Sequence, residues 1–176
     1  MGSLQAACSL SKPAIAAQRT HRQNPPHLVH TLEIHMEETL KVQWDGGFVF
    51  SSQTPSGFNF VMDSHPESGG QGKGPTPFEA MLASTAACSA IDVMIVLNKM
   101  KQEVESYQIE VSYERTAPEG TYPRPITGMT VHHVVKGPKV DANAVEKAVK
   151  LSDEKYCSVI ATHRTEVEVK STWEIQ

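Results

Sequence analysis

Gly74-Pro75-Thr76-Pro77-Phe78-Glu79-Ala80-Met81-Leu82-Ala83-Ser84-Thr85-Ala86-Ala87-Cys88 is the stretch on which the reading of this chain turns. Two prolines make a rigid turn, Thr76 is suited to a helix N-cap, and Pro77 suits the first helical position, where a missing N–H costs nothing. From there the pattern predicts a helix to about Met100, with Lys99 and Lys101 placed favourably for its dipole. Met81, Leu82, Ala86, Ala87, Ala90, Ile91, Val93, Met94, Ile95 and Leu97 leave no polar face, so the helix is expected to be central and covered on all sides. One thiol, Cys88, lies near its middle, and a second, Cys157, lies far downstream in Lys155-Tyr156-Cys157-Ser158-Val159.

The rest of the chain alternates in short runs. Leu40, Val42 and Trp44 share one side of a strand predicted over Thr31–Trp44. Asp45-Gly46-Gly47 signals a hairpin into Phe48-Val49-Phe50, and a turn at Thr54–Gly57 leads to Phe58, Phe60 and Met62 at period two. After the helix, Val104–Arg115 and Ile126–Lys136 alternate, and Asp141 caps a second helix predicted to end around Tyr156–Cys157. Glu166–Ile175 reads as a last strand through Val167, Val169 and Trp173. The expected order is βββ–α–ββ–α–β, an α+β domain over residues 32–176. So few strands leave a helix of that length partly uncovered, and a partner subunit is expected to complete the cover.

Composition narrows the function classes. The 176 residues are 39% hydrophobic and 20% charged, with a net charge of −4 and no basic run, which argues against nucleic acid or an anionic membrane surface as partner. No uninterrupted apolar stretch reaches the ~20 residues of a membrane helix, and a soluble protein is expected. Three cysteines without close pairs do not make a disulfide scaffold. The eight histidines lack a ligand spacing, and neighbours His132 and His133 would point to opposite faces of a strand, so no metal is expected. In Ser68–Gly74, Gly74 follows Lys73 where a phosphate loop needs Ser or Thr, so a mobile surface loop is the better reading. The first 32 residues hold no acid but carry Lys12, Arg19 and Arg22. A disordered leader over 1–31 and a cytoplasmic protein are expected, with a mitochondrial or plastid transit segment as the alternative.

A buried helical cysteine is by itself more often a small hydrophobe than a catalyst. Small neighbours at Ser84, Thr85, Ala86, Ala87 and Ser89 leave room beside Cys88, and Glu79 and Asp92 are acids whose burial needs a partner. The helix dipole fades before it reaches Cys88, so activating the thiol needs a cation; Arg115, Arg124 and Arg164 are the arginines of the folded body.

The two segments Gly74–Glu79 with Ala86–Asp92, and Leu151–Val159, resemble the central-helix and second-cysteine motifs of the OsmC/Ohr family. That resemblance implies antiparallel sheets around a long central helix and an intertwined homodimer with sites at its interface. It implies a thiol-dependent peroxidase of oxidative-stress defence that reduces organic hydroperoxides with a dithiol and needs no metal, flavin or haem. Cys88 would be the peroxidatic thiol and Cys157 the resolving one. In peroxidase members a glutamate directly follows the motif proline and an arginine comes from the N-terminal strands. Here Phe78 follows Pro77, Glu79 is one residue later, and Leu32–Met62 has no arginine. Glu79 and Arg115 therefore stand as supporting candidates. The alternative is a non-enzymatic protein of this fold that binds a small apolar ligand or senses redox state.

Overall fold

The computed structural model describes residues 38–165, 167 and 169–175. They fall in a unit running from Thr39 to Gln176, apart from Glu38, which belongs to an N-terminal unit of residues 1–38. The leader and the first part of the strand predicted from Thr31 lie outside the described residues.

Three short strands, β1 (Lys41–Trp44), β2 (Phe50–Gln53) and β3 (Asn59–Met62), form an antiparallel meander in the order β1-β2-β3. Trp44 pairs with Phe50, and Ser51 with Val61. The connection from β3 to the long helix is anchored through Asp63, and Ser68–Gly74 is the mostly exposed surface loop that the sequence suggested. Asp63 is buried, and its carboxylate accepts the backbone N–H groups of Ser64, Gln71 and Lys73 at 2.7, 2.7 and 3.2 Å. Burial pushes its pKa up, but these donors outweigh that and hold it below the ordinary carboxylate value. At Gly74 the backbone approaches so closely that any Cβ would collide with the Val61 carbonyl. A glycine there is a packing requirement.

The helix α1 runs over Pro77–Lys99, with the expected N-cap at Thr76. Its Glu79 closes a capping box: Thr76 Oγ1 accepts the Glu79 N–H at 3.2 Å, and Glu79 Oε2 accepts the Thr76 N–H at 2.8 Å. A hairpin of β4 (Ser106–Arg115) and β5 (Ile126–Lys136) follows, bulged at Glu114/Arg115. Then comes α2 (Ala142–Leu151), capped by Asp141. The core is where α2 and the hairpin meet the second half of α1: Val93, Val96, Leu97, Ala144 and Ala148, flanked by Tyr107, Val135 and Val149.

Two expectations change. The second helix does not continue regularly to Cys157: its α geometry stops at Leu151, and Ser152–Tyr156 form a π-turn closed by Cys157 N–H to Ser152 C=O at 2.9 Å. A short helix α3 (Ser158–His163) follows, too short to announce itself by periodicity. Residues 167 and 169–175, the described part of the last predicted strand, take no strand geometry. Alternation gives a strand two faces, but a strand also needs an edge to pair with, and Trp173 is left 85% exposed.

The cover of α1 is as partial as so few strands led us to expect. Thr85, Ser89, Val93, Val96 and Leu97 are buried along one face. On the opposite face Ile91 and Ile95 are 60% and 46% exposed. By length and composition α1 could cross a membrane, yet its buried face is closed by α2, β4, the π-turn and α3, as in the core helix of a folded domain. The described residues supply cover for one face only.

Candidate active site

Cys88 and Asp92 are four residues apart on α1 and so project from one side of it, at the border between the covered and uncovered faces. The π-turn brings Cys157 to the same place. The two sulfurs and a carboxylate oxygen of Asp92 all lie within 4.8 Å of one another. Cys157 is 2% exposed and Cys88 is half-buried. The structure therefore brings together the two cysteines that the sequence could only set far apart.

A buried hydroxyl pair fixes this geometry. Ser152 Oγ lies 3.0 Å from Ser89 Oγ, 3.3 Å from the Ser89 carbonyl and 3.5 Å from Asp92 Oδ2. Ser152 also supplies the carbonyl that closes the π-turn, so one residue ties the turn to α1 and aims Cys157. An extra residue per turn, as π geometry requires, is a common device at functional sites. Further along, Thr85 Oγ1 sits 2.9 Å from His163 Nε2, fastening α3 to α1.

The two thiols differ electrostatically. Burial pushes the Cys157 thiol above its ordinary value, and its hydrogen bond with Cys88 pushes it further. The Ile160 N–H donating to Cys157 Sγ at 3.4 Å opposes the shift without cancelling it. Cys157 is thus a protonated thiol at neutral pH, facing the more accessible sulfur of Cys88.

The supporting candidates stand elsewhere in the chain. Glu79 is spent on the helix cap, and hydrogen bonds from the Thr76 backbone and hydroxyl lower its pKa. Arg115 lies over the Phe78 ring at 4.4 Å and donates from Nε to the Arg124 carbonyl. Phe78 is ten residues before Cys88, about 15 Å along the axis. Arg124 packs on Tyr122, and Arg164 pairs with Asp153 at 2.6 Å. Sequence reasoning missed Ser152 as a structural hub and α3 altogether. The Thr76-x-x-Glu79 spacing did carry the capping box, and that signal gives Glu79 its role.

Beside the thiols, a cavity of about 810 Å³ runs along α1, lined by Phe78, Met81, Met129, Val131, Ile160 and His163. Neither sulfur lines it, but Ser89 and Ile160, neighbours of each thiol, do. His133 lines it as well, and its Nδ1 lies 2.6 Å from Tyr107 Oη. Burial pushes Tyr107 up to about 12 and lowers His133, so both are neutral at physiological pH.

Residues 70–172 match the family described as OsmC-like protein, more than half of the chain. The chain belongs to the OsmC-like family. Protein YhfA of Escherichia coli K12 is 35% identical over 135 residues, covering 77% of this chain and 96% of that protein. Among solved structures, a hypothetical protein from Aquifex aeolicus is 31% identical, covering 81% of this chain and 98% of that one with a TM-score of 0.62. An organic hydroperoxide resistance protein OsmC from Legionella pneumophila shares the OsmC-like fold, with a TM-score of 0.53 over 77% of this chain and 96% of that chain at 23% identity. The α+β architecture with antiparallel strands and a long helix is the one these relatives share.

Proposed function

We propose that this protein is a thiol-dependent peroxidase that reduces organic hydroperoxides, with Cys88 as the peroxidatic and Cys157 as the resolving cysteine. The observation that carries this reading is the meeting of the two sulfurs within 4.8 Å, one half-exposed and the other buried and protonated. The Cys88 thiolate attacks the terminal peroxide oxygen, the O–O bond breaks, and the alkoxide takes a proton to leave as the alcohol. Cys88 is then a sulfenic acid. The Cys157 sulfur condenses with it, forming the disulfide and releasing water. A dithiol reductant returns both cysteines to thiols and leaves as its own disulfide. The cytoplasm, where such reductants are kept reduced, suits this cycle.

The apolar side of the neighbouring cavity, with Phe78, Met81, Met129 and Val131, favours an organic peroxide over hydrogen peroxide, and Thr130, Asp153 and Arg164 make its other side polar. A second copy of the chain is the proposed cover for the open face of α1, whose Ile91 and Ile95 stand exposed together with Trp44, Phe58 and Trp173. That copy is also the proposed source of the cation that ionises Cys88, since all three described arginines are engaged elsewhere in their own chain. The same engagement favours a second reading, a redox sensor that oxidises once without turnover.

Peroxide consumption by purified protein with a dithiol tests the proposal. Turnover lost in Cys88→Ser and a trapped sulfenic acid in Cys157→Ser are expected. Equal rates in both variants and in the wild type would overturn it, and a single stoichiometric oxidation would favour the sensor.

A further inference from the structure

Cys88, Asp92 and Cys157 place two sulfurs and one carboxylate oxygen within 4.8 Å of one another, at the half-buried border of α1 beside the turn that leads into the buried Cys157. Each of the three groups is an anion when deprotonated, and the described arginines are occupied at Phe78, Tyr122 and Asp153. Within the chain, ionising this trio crowds like charges together, which is costly unless a cation joins them. A divalent metal turns that repulsion into attraction.

We propose that Cys88, Asp92 and Cys157 form a binding site for a thiophilic divalent cation, Zn²⁺ first, with a solvent molecule as fourth ligand. Two thiolates and a carboxylate suit zinc and not magnesium or calcium, which take oxygen ligands alone. At Zn–S of about 2.3 Å and Zn–O of about 2.1 Å, tetrahedral geometry sets ligand atoms roughly 3.5–3.8 Å apart. The trio needs to close by at most about 1 Å, within reach of side-chain torsions in the half-buried Cys88 and Asp92. Outer contacts are in place: Ser152 Oγ stands 3.5 Å from Asp92 Oδ2, and the Ile160 N–H donates to Cys157 Sγ. Binding displaces the thiol protons of both cysteines, which leave to solvent as the metal–sulfur bonds form.

The site itself does not depend on peroxide turnover. Its consequence for activity does rest on the peroxidase reading: bound zinc occupies the sulfur lone pairs and stops the reaction until a chelator removes it.

The test uses the full chain, reduced and stripped of metal, in a Cys8→Ser background so that the third thiol contributes nothing. Co²⁺ is added as a spectroscopic probe and then displaced by Zn²⁺ in competition with a chelating dye. One metal per chain with thiolate-to-cobalt charge-transfer absorption is expected. That absorption should fall in Cys88→Ser and in Cys157→Ser, and Zn²⁺ affinity should drop at least about tenfold in Asp92→Asn and about tenfold in Ser152→Ala. Thermal unfolding of each variant confirms that it is folded. Zn²⁺ bound no tighter by the parent than by Cys88→Ser, or equally by Asp92→Asn, overturns the site. Peroxide turnover is assayed on the same stripped samples. Turnover without metal binding overturns the zinc site alone, and metal binding without turnover upholds it while removing the peroxidase reading.

Discussion

Cys88 and Cys157 carry the same thiol on backbones of different kinds. Cys88 sits in the middle of a regular helix of 23 residues, and its surroundings follow from the helical repeat alone. Cys157 sits where a π-turn ends and α3 begins, and its own sulfur caps that short helix. The first thiol is half-buried, the second sealed. An attacking sulfur needs access to substrate, whereas a resolving sulfur needs only to reach its partner, so the two backbones match the two proposed roles.

The strongest test of that division is Cys88→Ser, which should lower peroxide turnover by about 10³-fold or more in a steady-state assay with dithiol. Cys157→Ser should instead leave one oxidation per site, seen as a sulfenic acid adduct by mass spectrometry. Comparable behaviour of the two variants would erase the distinction between the regions.

The covered and uncovered faces of α1 can be contrasted in the same way. Leu97→Ala, on the covered face, should cost about 2–5 kcal/mol in denaturant unfolding. Ile91→Arg, on the open face, should shift the mass measured by light scattering toward the monomer while leaving the helical far-ultraviolet signal in place.

Ser152→Ala removes the hydroxyl that ties the π-turn to Ser89 and Asp92, and should cost about 1–3 kcal/mol because it leaves buried polar partners behind. It should also slow disulfide formation between the cysteines, since Cys157 loses its aim. Thr76→Ala at the capping box should cost only ~1 kcal/mol and leave turnover intact, as expected of a cap far from the thiols.

The smallest effect concerns pH. The Cys157 thiol is raised in the folded state, so its contribution to stability is complete below the ordinary thiol pKa. That contribution is lost as pH rises from there through the raised value, because the unfolded chain ionises first. Reduced wild type should therefore weaken toward alkaline pH more than Cys157→Ser does, measured by urea midpoints.

Much of the architecture could be read from local patterns. The strands β1 to β5, the start of α1 at Pro77 and the cap of α2 at Asp141 each rest on neighbours within a few residues, through alternation, turn residues and caps. The end of α2 could not be read so, because Leu151 and Ser152 continue its apolar stripe. Where the α geometry ends, Ser152 is held by Ser89, a partner 63 residues away in sequence. The described residues of the last predicted strand, 167 and 169–175, take no strand geometry for a complementary reason: alternation suits a strand, but pairing depends on an edge that local pattern does not contain.

The residues themselves determined the family, the long helix and the two thiols worth watching, because motifs and periodicity are properties of neighbours along the chain. Only the tertiary structure decided that the sulfurs meet, that Asp92 joins them and that Arg115 lies over Phe78. Distances between segments far apart in sequence are set by how buried side chains such as Ser89 and Ser152 find each other, and no spacing encodes that.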